Sequence, residues 1–132
     1  MTSPFERRID RTFIEEQIET FEKEFDEYIE KVKETSSQNK NVVLNKLKEL
    51  KKLLELLKKT HLEIDKKLPD LSRDQLELRV NFQRTKDVRI LDKIEEINQE
   101  KERLISEKVR YWMNFIEIYN RQILEITELL KA

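Results

Sequence analysis

The chain has 132 residues, 27 of them basic and 28 acidic for a formal net charge of −1, with no Gly, no Cys and two Pro. Lacking Gly, it has no phosphate-cradling loop, dinucleotide fingerprint, nucleophile elbow or EF-hand calcium loop, and lacking Cys it has no disulfide framework, thiolate catalysis or Cys-based zinc site. Near-neutral charge gives no overall pull toward nucleic acid or membrane. A charged fraction of 42% beside a hydrophobic fraction of 37% is the make-up of long amphipathic helices. The expected class is all-α: one domain over 1–132, an elongated antiparallel three-helix bundle or coiled coil with a long C-terminal helix.

The first helix is expected over about 4–34. Ser3, Pro4 and Glu6 supply a hydroxyl cap, a proline at the first helical position and a reciprocal carboxylate. Phe5, Ile9 and Phe13 lead into a seam of Ile14, Ile18, Phe21, Phe25, Tyr28 and Val32, alternating by four and three residues. Rings at consecutive seam positions favour a globular bundle over a two-stranded coil. Between Glu15 and Glu30 this helix carries eight acids against Lys23.

Residues 35–41 hold no apolar side chain and favour local hydrogen bonds, so they form the first turn. The second helix, about 41–68, has the seam Val43, Leu47, Leu50, Leu54, Leu57, His61, Ile64 and Leu68, with Lys-rich flanks that complement the acidic first helix. Pro69 is expected to end it. Ser72 followed by Gln75 resembles a new cap, and Leu76, Leu78, Val80 and Phe82 alternate with polar residues in period two. Residues 69–86 are therefore read as a connector or an early start of the third helix.

The third helix then runs to about residue 131. Residues 98–103 are all polar, and its seam is expected to restart one position over at Ile105. From there Ile105, Val109, Trp112, Phe115, Ile116, Tyr119 and Ile123 make an apolar sector wider than one helix covers. A third helix longer than the first two would project beyond them, so these residues are the candidate partner-binding surface, with Trp112, Phe115, Ile116 and Tyr119 as anchors. The partner expected is protein, either a second copy in a homo-oligomer or a different helical chain.

Other chemistries find little support. A di-iron bundle needs Glu-x-x-His motifs, and the residue three before His61 is Lys58. No catalytic site, cofactor, metal or small-molecule substrate is expected. Nucleic-acid binding would rest on the Lys face of helix 2, which lacks aromatics to stack bases, and membrane contact would need a face already committed to the core. The N-terminus lacks a signal-peptide core and no apolar run nears the ~20 residues of a span, so cytosol or nucleus is the expected location. His61, the only His, is the candidate pH-sensitive core position, with Asp65 one turn on as its partner.

Leu78-Arg79-Val80 together with Arg121-Gln122 and Glu125-Ile126 resembles the two ends of the third helix in syntaxin-type N-terminal domains. That resemblance implies a regulatory three-helix domain acting in vesicle fusion. The residue patterns themselves point to a non-enzymatic interaction scaffold, one subunit of a larger complex.

Overall fold

The computed structural model describes residues 11–131, apart from the side chains of Arg11 and Thr12. Three α-helices follow one another: α1 (Arg11–Lys33), α2 (Lys40–Thr85) and α3 (Arg89–Lys131), with no strand among the described residues. The all-α three-helix class holds. The expected cap at Ser3, Pro4 and Glu6 and the seam residues Phe5 and Ile9 lie outside the described residues.

These helices form two compact units. The first contains α1 with α2 as far as Lys58 and α3 from Tyr111; the second is the hairpin Lys59–Arg110.

In the first unit the four-three spacing of α1 puts Ile14, Ile18, Phe25, Ile29 and Val32 in the core. Opposite them α2 buries Val43, Leu47, Leu50, Leu54 and Leu57, and α3 buries Trp112, Phe115 and Ile126. Ion pairs Lys51–Asp26 at 2.7 Å and Lys58–Glu22 at 3.0 Å show that α1 and α2 run antiparallel and that their charged flanks meet. α1 ends where Thr35 turns back, its hydroxyl donating to the Val32 carbonyl at 2.8 Å. Asn39 then opens α2, its carbonyl accepting from the Val43 N–H at 2.9 Å. The Asn39 side-chain amide donates to the Leu129 carbonyl at 2.9 Å, satisfying an acceptor that the last turn of α3 leaves open.

The second unit corrects the expected boundary at Pro69. α2 continues through it to Thr85. A helix-interior proline costs about 3 kcal/mol because its ring displaces one backbone hydrogen bond. That local penalty is offset by burial on the continued helix, where Leu68, Leu71, Leu78 and Phe82 are half-buried and Gln75 is buried with its amide donating to the Ile94 carbonyl of α3. The period-two run at 76–82 resolves on the same helix: Leu78 and Phe82 are half-buried, while Leu76 and Val80 are exposed. The expected long C-terminal helix is present, 43 residues as α3, but α2 has 46, so the expectation that α3 outruns the second helix is corrected.

The turn between α2 and α3 lies where no Gly, Asn or Pro marks it. Lys86 takes the left-handed conformation (φ 58°), and its N–H reaches back to the Phe82 carbonyl at 2.7 Å to close α2. Asp87 caps α3, its carboxylate accepting from the Arg89 N–H at 3.0 Å and pairing with the Arg89 guanidinium. Those two donors hold its carboxyl below the ordinary Asp value. α3 then runs unbroken through residues 98–103.

Candidate interaction face

The core of the first unit closes around rings. Phe21 meets Trp112 at 5.7 Å, Phe115 at 5.6 Å and Tyr119 at 4.8 Å between centroids, all edge-on, and Phe25 meets Tyr119 at 5.8 Å. Beside them Phe21, Phe25, Tyr28, Leu47, Tyr119 and Ile123 line a shallow cleft of about 370 Å³, with Glu24, Glu27 and Lys31 among its other walls. Burial, followed by the charge of Glu24, pushes the Tyr119 hydroxyl above its ordinary pKa.

This geometry revises the partner-binding surface. Trp112 and Phe115 are 5% and 4% exposed, enclosed by the chain's own α1, so they are not available as anchors for another protein. Val109, Ile116, Tyr119 and Ile123 are half-buried. Only Ile105 of the expected set is open, at 48%. Composition of the C-terminal stretch showed its apolar width correctly; which helix would cover it depended on the reach of the Phe21 ring.

The second unit has a different interior. Among the described residues its buried apolar side chains are Ile64 and Leu104, and all four buried polar residues of the chain's described part, His61, Asp65, Gln75 and Lys108, lie within it. Lys108 Nζ meets Asp65 Oδ1 at 2.7 Å, with both side chains almost wholly buried. The His61 ring donates from Nε2 to the Lys108 carbonyl at 3.1 Å. The Gln75 amide donates to the Ile94 carbonyl at 3.3 Å, and Lys101 donates to Gln75 Oε1 at 3.4 Å. His61, the candidate pH-sensitive residue, is thus placed beside a buried ion pair, and the Asp65 carboxylate binds Lys108.

These contacts also correct the expected break in the seam. It does not restart at Ile105: from Ile94 and Ile97 it continues in step through Lys101, Leu104 and Lys108, and Ile105 stands one position to the side. Two lysines at seam positions read as solvent-facing residues in the sequence. Their regular four-three spacing from Ile97 was the available signal.

Seam residues locate the open face. In an antiparallel pair of right-handed helices, the residue that follows a seam residue turns to the same side of the pair on both helices. Leu62 follows His61, Leu76 follows Gln75, Leu91 follows Ile90 and Ile105 follows Leu104. These four are 50%, 62%, 44% and 48% exposed. On α3 the stripe is part of one column spaced by sevens: Leu91, Asn98, Ile105, Trp112, Tyr119 and Ile126. Within the first unit, Trp112 and Tyr119 of this column pack against α1. Within the second, Leu91 and Ile105 face solvent.

Among the described residues there is no group of His, Asp or Glu arranged to hold a metal ion, and no helix is long and apolar enough to cross a membrane. Comparison with protein-family models, with curated proteins and with solved structures gives no match. The syntaxin-type resemblance loses its footing on the residues: Leu78-Arg79-Val80 belongs to α2, ahead of the turn, while Arg121-Gln122 and Glu125-Ile126 belong to α3.

Proposed function

We propose that this chain is a non-enzymatic helical interaction module, an assembly subunit whose hairpin Lys59–Arg110 docks a protein partner on the stripe of Leu62, Leu76, Leu91 and Ile105. The observation that carries this reading is that four large apolar side chains at regular helical spacing stay on the surface of a unit whose own interior is largely polar. Scattered exposed Leu residues are ordinary on a protein surface, whereas apolar residues repeated at the same seam-flanking register on both helices of a hairpin support an interface. Sites built on the rigid face of a helix pair also hold their geometry better than loops. The proposed docking region is displaced from Trp112 to Ile105, the preceding position of the same column of α3.

The test is affinity capture with the full chain carrying Leu76→Asp and Ile105→Asp. A specific protein held by the unsubstituted chain should be lost by this variant at unchanged helix content by circular dichroism. Val42→Asp with Leu124→Asp, which alters two other exposed apolar residues, should retain it. Equal capture by all three chains would exclude the hairpin stripe as the docking face.

A further inference from the structure

The stripe is bordered by opposite charges. On α2 its outer neighbours are Lys66, one turn after Leu62, and Arg73, one turn before Leu76; on α3 they are Glu95, one turn after Leu91, and Glu102, one turn before Ile105. All four are exposed. Arg73 also pairs locally with Asp70 at 3.4 Å, a solvent-exposed contact that competes weakly for it. The chain as a whole is nearly neutral, so this separation is a property of the face.

Resting on the interaction reading above, we propose that the face receives a single amphipathic helix of a partner protein, with carboxylates along the edge over α2 and basic residues along the edge over α3. The first unit shows the same solution built from the chain's own parts. There α1 lays an apolar seam against α2 and α3 and presents Glu22 and Asp26 to Lys58 and Lys51 of α2. Charge complementarity of this kind fixes which way round a docked helix lies and rejects the reverse pattern more than it adds affinity.

The test uses two labelled peptides of the α1 sequence Arg11–Lys33, titrated against the full chain by fluorescence anisotropy. One carries Glu24→Lys and Glu27→Lys, keeping acids on the edge that meets α2 and placing bases on the edge toward α3. The other carries Glu22→Lys and Asp26→Lys, which reverses the pattern at the same net charge. The first should bind roughly tenfold more tightly, as expected for a few exposed ion pairs acting together. That preference should shrink in a chain with Lys66→Glu and Arg73→Glu, and all binding should vanish with Leu76→Asp and Ile105→Asp.

Equal binding of the two peptides, or a preference for the second, overturns the charge assignment. Binding that survives Leu76→Asp and Ile105→Asp overturns the location. Self-association of the full chain in sedimentation, abolished by those substitutions, would make a second copy the occupant. Binding seen only after removal of residues 1–10 would assign the face to the chain's own N-terminal residues. If neither peptide binds while capture of a protein still depends on Leu76 and Ile105, the charged-edge proposal fails and the interaction reading stands.

Discussion

Trp112 and Ile105 occupy successive positions, two turns apart, of one column on α3, yet one is enclosed and the other is half exposed. The difference is what each unit places against the column. In the first unit a third helix arrives with Phe21 and Phe25, and thirteen of the fifteen buried apolar side chains among the described residues gather there. In the second, two helices meet around Lys108, Asp65, His61 and Gln75, and among the described residues Leu62, Leu76, Leu91 and Ile105 stay exposed on one flank of that pair. A pair of helices can bury one seam only, and the surplus apolar surface of a two-helix unit identifies where something else fits.

The sharpest way to break this comparison is to truncate the two column residues in turn. Trp112→Ala should cost about 3–5 kcal/mol in urea unfolding, because it empties a ring-packed core. Ile105→Ala should change stability by no more than about 0.5 kcal/mol in the free chain. Similar losses at both positions would mean that the two units do not differ as described.

The polar interior of the hairpin gives an effect nearly as large. Asp65→Leu or Lys108→Met alone should destabilise by roughly 3–5 kcal/mol, since each strands a buried charge. The double substitution should recover most of that loss, and a double-mutant cycle from urea midpoints measures the recovery. Additive losses would show that the 2.7 Å ion pair is not acting as a unit.

Smaller effects sharpen the description of the turn and the aromatic core. Lys86→Gly should stabilise by roughly 0.5–1 kcal/mol, since glycine takes the left-handed conformation at φ 58° without strain; the contact of Lys86 with the Phe82 ring offsets part of the gain. Thermal unfolding checks the sign. Tyr119 has a folded pKa raised above its ordinary value of 10.0, so its contribution is fully present below that pH and is lost as pH rises through the folded value. Tyr119→Phe should accordingly flatten the fall in urea midpoint as pH rises above about 10.

Much of the first unit was legible in the residues. The four-three spacing of Ile14, Ile18 and Phe25, the polar turn expected at 35–41, of which α2 takes up the last two residues, and the acid-to-lysine match between α1 and α2 all have direct counterparts in the structure. The second unit was less legible for three physical reasons. Pro69 carries a strong local signal that tertiary burial overrode, and the turn at Lys86 and Asp87 uses a lysine where glycine is usual. Lys101 and Lys108 sit on a seam that hydropathy alone assigns to water. The open stripe itself was visible only through Ile105, because naming the others required knowing that α2 extends to Thr85.

The most direct test of the central claim is equilibrium unfolding of the full chain with Leu76→Asp and Ile105→Asp together. If these side chains serve a partner rather than the chain's own fold, the urea midpoint and slope should remain close to those of the unsubstituted protein, with a loss of no more than about 1 kcal/mol. A loss of several kcal/mol would show that the stripe is already packed within the folded chain and would contradict the account.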